Sequence, residues 1–395
     1  MMNGLYVVNV DIENKSGYKD KILGQIDVLS KITDHMYVLA SNGNEYFFGE
    51  YLDRSIGKIM SVKQSKKIRY IRGFINQHKL LSLLRTMIDK HDVDFAYIRR
   101  IIPLTTSVLR TLRGLKKQKT QLFYEYPTYP WQEEMRSNPK TFGRLNYYLD
   151  KWNYRKLFDI VDFIPAMVSC DCFSSQIENE KLIKINNGVC VEKLPVVSPV
   201  SHEGLNLLAV GHLQNWHGFD RVIKGLSEFY NSGGTQLVKF LVVGDGQELQ
   251  ALRELAQNLG LVNEVVFFGA MTGKELDAIF NLSDIAVASI GNHRKKVFKD
   301  SALKSREYCA RGIPFILASY DDDFPEEFRY VHRIPADDSP VDIASILVFF
   351  NSIKKDDYST IMRHYAQRTL TWDKKMLPII DKILQNQHPK NESNN

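Results

Sequence analysis

The run Leu205-Asn206-Leu207-Leu208-Ala209-Val210-Gly211 decides the fold of this chain, because it is almost continuously apolar and stops at a glycine. Three further apolar runs follow at 238–243, 265–268 and 285–290, and helical patterns separate them. Strands that are apolar on both faces belong to a parallel sheet covered by helices on each side. The second half of the chain is therefore predicted to be an α/β domain built on a parallel sheet.

Glycines end these apolar runs, and their positions predict where a ligand binds. Gly211, Gly244 and Gly269 each follow a strand directly, and Gly246 comes two residues after the second of them. Ligands of such sheets bind at the carboxyl ends of the strands. We therefore expect these glycines to converge on one crevice with the loop 290–307.

The segment from Ser301 to Pro314 is predicted to be a loop, a short helix that ends at Gly312 and the start of another strand. A helix start attracts anions, because its first amide N–H groups lack partners and its dipole adds positive charge. Lys304 and Arg306 add full charges there, and Glu307 lies about one turn further in. The pattern is typical of a nucleotide site, with a diphosphate at the helix start and a ribose on the carboxylate. A solvated surface helix is the alternative.

Strands and helices also alternate in the first half of the chain, which predicts a second sheet domain. The expected strands are 6–10, 36–40, 46–48, 95–98, 122–127, 163–168 and 182–185, and the expected helices are 21–29, 71–87 and 106–115. A polar linker with two prolines spans 194–206. The predicted domains are therefore 1–196 and 197–370, followed by a C-terminal helix and tail at 371–395.

Length and composition favour a two-domain globular protein. At 395 residues the chain exceeds one ordinary core, and no run of about 20 apolar residues occurs in it. Four cysteines suit a reducing compartment, and the strand-like start lacks the pattern of a secretion signal. We therefore expect a cytoplasmic protein.

The net charge of +6 conceals a strongly basic block between Arg54 and Lys119. The block holds 17 Lys or Arg residues against three acids, a local charge of +14, so the rest of the chain carries −8. Such a block attracts an anionic partner. Phospholipid headgroups, a lipid-linked diphosphate and nucleic acid are the candidates, and a merely solvated surface is the alternative. Nucleic acid is not expected, since no recognised nucleic-acid module is present.

Six short motifs occur in the order Ile185-Asn186-Asn187-Gly188-Val189, Val210-Gly211-His212-Leu213, Trp216-His217-Gly218-Phe219-Asp220-Arg221, Val243-Gly244-Asp245-Gly246, Val266-Phe267-Phe268-Gly269, and Glu307 with Gly312-Ile313-Pro314. This series resembles the retaining glycosyltransferases of family 4 and their relatives, from about Ile185 to Ala318. The first domain is weakly similar to a bacterial polysaccharide-type branch, at 94–99 and 125–127. The resemblance implies the GT-B fold, in which two Rossmann-like parallel-sheet domains face each other across a cleft.

The resemblance also implies which residues bind the donor. By position they are Gly17 in the first domain and, in the second, Gly211, Gly244, Asp245, Gly246, Ser301, Ala302, Leu303, Lys304 and Glu307. Glu307 matches the acid that binds the nucleotide ribose, and the amides of 301–304 would hold the diphosphate. The residues 244–246 would flank the base and ribose, and Gly17 lies where a first-domain loop faces the phosphates.

Two histidines depart from the family pattern. His212 and His217 stand where the family usually has an arginine and a lysine against the phosphates, and a neutral imidazole binds phosphate less well than a permanent cation. We expect Lys304 or Arg221 to supply the missing charge. For His217, packing beside its neighbouring tryptophan is the alternative to a ligand contact.

A lysine is a third departure. Lys299 occupies the position of the family's first paired acid, which contacts the donor sugar, so it is expected to bind the diphosphate or an anionic sugar instead. The loop 292–304 around it is unusually basic. A lid over the donor is the favoured interpretation, and a solvated loop is the alternative.

The resemblance, together with these residues, implies a hexosyltransferase-type glycosyltransferase. It would move a sugar from a nucleotide diphosphate sugar, with UDP as the expected nucleotide, to a glycan or lipid-linked acceptor in cell-surface polysaccharide or glycoconjugate synthesis. Retention of the anomeric configuration is implied by the resemblance. No metal ion and no further cofactor is expected, since Lys304 and the helix amides would stabilise the departing charge. A non-catalytic GT-B-like partner or chaperone subunit is the alternative.

The acceptor is assigned to the first domain. Glu125 follows an apolar run and precedes several aromatic residues up to 131, so it is expected to orient or deprotonate the acceptor hydroxyl. A turn whose aromatic side chains are core is the alternative. The basic block would hold the protein on the inner face of an anionic membrane.

Overall fold

The computed structural model describes residues 2–13, 17–66, 71–131, 141–168 and 180–386. The chain forms two compact units, the first made of Met1–Gly188 with Trp372–Asn395 and the second of Val189–Thr371. The sequence-based division lies within the polar linker, after residue 196. The linker packs on the second unit, because the amide of Val197 donates to the carbonyl of Arg311 and that of Val200 to the carbonyl of Asn281, each at 2.8 Å.

The first unit contains an eight-stranded sheet of order β4-β3-β2-β1-β5-β6-β7-β8. Its strands are β1 (Asn3–Asp11), β2 (His35–Ser41), β3 (Glu45–Leu52), β4 (Ser55–Lys63), β5 (Phe95–Arg99), β6 (Gln121–Tyr129), β7 (Ile164–Val168) and β8 (Leu182–Lys184). β2, β3 and β4 pair antiparallel, and the other neighbours pair parallel. β4 was not predicted, because its exposed residues follow no apolar run.

Before the chain enters the second unit, the first unit contains the helices α1 (Gly17–Ser30), α2 (Arg72–Ile88), α3 (Thr106–Lys117) and α4 (Thr141–Phe158). α2, α3 and α4 are neighbours, and their apolar sides enter the same core. The side chain of Thr105 caps α3 by accepting a hydrogen bond from the amide of Val108 at 3.3 Å. α4 was not predicted, since aromatic and charged residues alternate along it without a simple apolar period.

The second unit is a six-stranded parallel sheet of order β11-β10-β9-β12-β13-β14. Its strands are β9 (Leu205–Val210), β10 (Val238–Val243), β11 (Val265–Gly269), β12 (Ile285–Val287), β13 (Phe315–Leu317) and β14 (Val331–Arg333). The predicted α/β class is confirmed. The chain builds outward from β9 in one direction and then resumes on its other side at β12. Ligands bind at the carboxyl ends of strands at such a reversal.

Helices cover this sheet between the strands. They are α5 (Phe219–Asn231), α6 (Leu249–Asn258), α7 (Lys274–Asn281), α8 (Leu303–Arg311), α9 (Ile343–Ile353) and α10 (Tyr358–Tyr365). A short helical turn at Asn215–His217 precedes α5, and another at Asn292–Lys295 precedes α8. Two separate buried apolar clusters account for the two covered faces.

The last helix, α11 (Trp372–Gln385), belongs to the first unit. It packs on α1 where Gly24 leaves room for an indole, since a Cβ there would lie 2.2 Å from Cδ1 of Trp372. Lys31 and Asp373 form an ion pair beside this contact at 2.6 Å. None of the helices in the described ranges is long and apolar enough to cross a bilayer.

Candidate active site

Glycines bring three strand ends of the second unit into direct contact at the reversal of the sheet. Gly211 follows β9 with φ +147°, and Gly244 follows β10 with φ +143°. A Cβ on Gly244 would lie 1.8 Å from the carbonyl oxygen of Gly211, and its own amide donates to the carbonyl of Gly269 at 2.7 Å. A Cβ on Gly246 would likewise lie 2.3 Å from the carbonyl oxygen of Leu213. Only glycine allows this approach, so the structure joins the glycines that the sequence placed at strand ends.

Lys304, in the first turn of α8, reaches across to this contact. A Cβ on Gly211 would lie 2.8 Å from both Cε and Nζ of Lys304, so the lysine occupies the space that a side chain would take. Its Nζ is screened from solvent and has no hydrogen-bond partner among the described residues. It lies 5.2 Å from the ring centre of Phe219. Burial lowers the pKa of Lys304 to about 7, because the charged amine is poorly solvated there, and a bound anion would favour the charged form.

The two histidines differ in their exposure to solvent. His217 is buried, and burial followed by the nearby Lys304 lowers its pKa to about 2, so its imidazole is neutral. Its ring packs 5.2 Å from that of Phe219 and 6.2 Å from that of Trp216. His212 is exposed beyond Gly211. His217 therefore adds no cation and packs among aromatic rings, which was the alternative expectation for it.

Arg221 does not supply the missing charge either. Its side chain is fully buried, and it donates to the carbonyls of Ser339 at 2.8 Å, Ile290 at 2.6 Å and Pro335 at 3.0 Å. All three nitrogens are used inside the fold. The expectation that Arg221 binds the nucleotide-sugar donor is corrected. Its N–H groups instead connect α5 to the segments after β12 and β14.

The start of α8 is open to a ligand only in part. Ala302 is the N-cap residue with an extended backbone, and its methyl side chain cannot accept a capping hydrogen bond. Ser305 places a buried hydroxyl in the first turn that has no partner in the described part of the chain. The amide of Ser301, in contrast, already donates to Asp300 at 2.7 Å. The predicted diphosphate site is therefore limited to the backbone amides from Leu303 onward.

Glu307 lies one turn after Lys304, on the same side of α8. Its Oε1 accepts a hydrogen bond from Nε of Arg311 at 2.9 Å, and 32% of its side chain is exposed. Arg311 also pairs with Asp277 at 2.7 Å. The carboxylate is thus held in position and still presents an edge to which two hydroxyl groups could donate.

Arg306 does not contribute charge to the helix start. It is fully buried and forms ion pairs with Asp321, one of them at 2.7 Å, and with Asp323. Burial raises the pKa of Asp321. The acidic run 321–323 after β13 therefore supplies the internal partners of this arginine. An arginine on the buried side of a short helix is the signal that could have revealed it.

The loop 292–304 is fixed to its surroundings along its length. Arg294 forms two hydrogen bonds with Asp220, both at 2.9 Å, and Asn292 donates to Asp300 at 2.9 Å. Lys299 pairs with Asp322 at 2.9 Å, and its backbone forms a bridge with Tyr320. The loop is therefore neither a free lid nor a solvated loop, which were the two expectations for it. The charge of Lys299 is already balanced, so the expected contact with an anionic donor group is corrected.

Glu125 of the first unit is placed differently from the prediction. It is fully buried inside β6, which continues to Tyr129, and its Oε1 lies 3.0 Å from Nζ of Lys21 and 3.5 Å from Nη1 of Arg99. These two cations lower its pKa against the effect of burial. This carboxylate is therefore not available to an acceptor. The expectation that Glu125 orients or deprotonates the acceptor hydroxyl is corrected.

The aromatic residues after Glu125 belong to the core, which was the alternative expectation for this segment. Tyr126, Tyr129 and Trp131 are all buried in the main apolar cluster of this unit. Gly17, the first-domain residue expected near the phosphates, is the first residue of α1. The remaining predicted contact, Asp245, is exposed after β10 and accepts from the amide of Gly246 at 2.7 Å.

Similarity to known proteins is found both in the sequence of the second unit and in the fold of the chain. Residues 192–329 match the family described as Glycosyl transferases group 1. No curated protein matches the sequence. Among solved structures, the chain is similar to sucrose-phosphate synthase from Thermosynechococcus elongatus (TM-score 0.66, 13% identity, 98% of this chain and 100% of the other). It is also similar to a glycosyltransferase from Rickettsia africae (0.63, 16%, 98% and 99%) and to HepE from Anabaena in complex with UDP (0.62, 13%, 97% and 100%).

The two kinds of likeness establish different things. At such low identity the solved structures show the fold, and they cover nearly the whole chain. The family match covers most of the second unit, including β9 to β13 and α8. The predicted resemblance is confirmed: the second unit is a group 1 glycosyltransferase domain, and the chain is a glycosyltransferase with the GT-B fold.

Proposed function

We propose that this glycosyltransferase uses a UDP-sugar whose diphosphate is held at the start of α8. The observation that carries the proposal is the Nζ of Lys304, which is screened from solvent, lacks a partner among the described residues and lies against Gly211. A diphosphate would supply the missing acceptor. HepE, a protein of similar fold, was solved in complex with UDP, which supports the choice of nucleotide.

In the proposed reaction, the bond between the anomeric carbon and the β-phosphate oxygen breaks, and its electron pair stays on the phosphate. Lys304 and the first amides of α8 stabilise that growing charge, because they are already oriented towards it and shielded from water. The acceptor oxygen bonds to the anomeric carbon and loses its proton to the departing diphosphate. Retention of configuration is part of the proposal on the basis of the family resemblance.

We further propose that fixed protein charge does here what a metal ion does in other transferases, so that the reaction needs no metal or additional cofactor. Glu307 would accept hydrogen bonds from the ribose hydroxyls, since Arg311 already orients its carboxylate at 2.9 Å. The segment 244–246 would border the nucleoside, because Gly244 lies against the same strand end as Lys304.

The acceptor is proposed to be a glycan or a lipid-linked glycan in polysaccharide or glycoconjugate synthesis at the cytoplasmic face of a membrane. The basic block supports this through its exposed residues, among them Arg110, Arg113 and Lys117 on α3. Arg99 and Arg100 are excluded from that surface, because they pair internally with Glu125 and Asp150.

A thermal-denaturation series with UDP, ADP, GDP and their sugars tests the donor assignment. UDP and a UDP-sugar should raise the melting temperature, and Lys304→Ala and Glu307→Ala should each abolish that rise. Lys355→Ala is the matched control, because this lysine is exposed just after α9 and its loss changes the charge equally. No nucleotide response in the native protein, or an equal loss in the control, would refute the proposal.

A further inference from the structure

β11 is an outer strand of the second sheet, with β10 on one side and no described strand on the other. It is uncharged and consists of two valines, two phenylalanines and a glycine. The other outer strands of the described sheets, β4, β8 and β14, each carry lysine or arginine. Charged residues on an outer strand keep it from pairing with another chain. β11 lacks this protection.

Backbone groups of β11 remain available for such pairing. The amide of Phe240 on β10 donates to the carbonyl of Glu264 at 2.7 Å. Successive residues of a strand direct their hydrogen-bonding groups to alternate sides, so Val265 and Phe267 direct theirs away from β10. The amide of Val265 donates to the carbonyl of Leu261 at 3.0 Å, whereas Phe267 has no backbone partner on that side within the described part of the chain. An added strand could therefore bond to both backbone groups of Phe267.

A groove of about 380 Å³ lies beside this strand and is lined by residues of β11 and α6. Its apolar side chains include Val265, Phe267 and Val262, of which the last is 61% exposed. Its polar side chains are Arg253 and Gln257 of α6. Alternate residues of a strand point to the same face of a sheet. Apolar side chains of a strand paired with β11 would therefore enter this groove.

Arg253 determines the charge that the groove favours. It is exposed, and its guanidinium lies 5.6 Å from the ring centre of Phe267, which holds it over the apolar wall. The neighbouring acid, Glu254, accepts a hydrogen bond from Gln250 at 2.7 Å and is not among the residues that line the groove. A carboxylate on the occupant would pair with this arginine.

A second copy of this chain does not match the groove. Two copies of β11 paired about a two-fold axis near Phe267 would bring the two Arg253 side chains towards each other, because this arginine lies over that ring. Like charges facing each other oppose association. A different segment, extended and carrying both apolar and acidic side chains, matches the strand, the groove and the charge together.

We propose that β11 and the groove beside it bind an extended, acidic and apolar segment of a partner protein, which adds a strand to the edge of the second sheet. Main-chain hydrogen bonds to Phe267 would supply affinity, and the groove with Arg253 would supply specificity. The proposal goes beyond sugar transfer, because it concerns a different surface from the donor site and can be tested without substrate.

Fluorescence anisotropy of a labelled peptide with the full-length protein tests this site. The probe is the peptide Thr-Val-Thr-Asp-Thr-Val-Thr, which places two valines and an aspartate on one face of a strand. It should bind saturably with a dissociation constant below ~1 mM. The same peptide with lysine in place of aspartate should bind ~5-fold more weakly. Val262→Asp should weaken binding of the aspartate peptide by ~10-fold, because it puts a carboxylate in the apolar part of the groove.

Arg253→Glu should reverse the preference, so that the lysine peptide binds more tightly than the aspartate peptide. Lys355→Glu is the matched control, because it makes the same change of charge at an exposed position after α9 and should leave both affinities unchanged. Each variant should melt and respond to UDP like the native protein, which separates failure of this proposal from failure of the donor site. Three results would overturn the proposal: no saturable binding of the aspartate peptide, an unchanged preference in Arg253→Glu, or self-association of the native protein that Val262→Asp removes in sedimentation.

Discussion

The protonation of Lys304 should control how tightly the protein binds UDP, and this can be measured by titration calorimetry at several pH values. Burial lowers the pKa of this lysine to about 7 in the free protein, whereas a bound diphosphate would keep it charged. Binding must then include uptake of a proton whenever the free lysine is neutral. Above the pKa the dissociation constant should rise by ~10-fold per pH unit, which corresponds to ~1.4 kcal/mol.

The useful window lies between about pH 7.5 and 9, because the terminal phosphate of UDP titrates near 6 and is constant there. The dissociation constant should rise by ~20-fold across this window in the native protein. Lys304→Arg should abolish the pH dependence, since a guanidinium stays charged throughout. Lys304→Met should bind weakly at every pH in the window. A native dissociation constant that does not change, or the same slope in both variants, would refute the reasoning.

The same lysine should reduce the stability of the free protein. Its folded pKa of about 7 lies below its unfolded value, so the folded state loses a proton that the unfolded state keeps. This cost is absent above the unfolded pKa, grows as pH falls towards about 7 and is constant below it. Lys304→Met should therefore raise the free energy of unfolding at pH 7 by ~3–5 kcal/mol, since each unit by which the pKa is lowered corresponds to ~1.4 kcal/mol. Urea denaturation measures it, and a less stable variant would contradict the burial argument.

Three further outcomes concern the surrounding framework. Arg306→Met should lower the free energy of unfolding by ~3–5 kcal/mol in denaturant titrations, because it leaves two buried aspartates without a cation; a loss under ~1 kcal/mol would mean that the pairs are not needed. Gly244→Ala should lower the free energy of unfolding by ~3 kcal/mol, since its Cβ would lie 1.8 Å from a carbonyl oxygen. Gly233→Ala, at φ +92° with open space around it, should lower it by only ~1 kcal/mol. Glu125→Gln should destabilise the fold by ~3 kcal/mol, measured by urea unfolding, because two buried cations lose their carboxylate; an inactive variant of native stability would restore this residue as a base.

Local signals in the sequence were sufficient for most of the second unit, although β14, α9 and α10 were not predicted. Apolar runs that stop at glycines predicted β9 to β12 and the strand ends near the ligand, because a strand covered on both faces needs apolar residues throughout. The glycine that ends α8 and the charged residues at its start predicted a helix with an anion site. In the first unit, β4 and α4 were missed, since their exposed or aromatic residues do not follow a simple period.

The sequence by itself determined the α/β class, the strands β9 to β13 of the second unit and the short list of charged residues that could meet a nucleotide. Only the tertiary structure decided which of those charges are used inside the fold. In the sequence Arg221, Arg306 and Glu125 are charged candidates like Lys304. In the structure each of the three is paired with groups from other parts of the chain, whereas Lys304 has no such partner among the described residues. The physical reason is that a charge becomes available to a ligand only when no internal partner balances it, and such partners are set by packing rather than by local sequence.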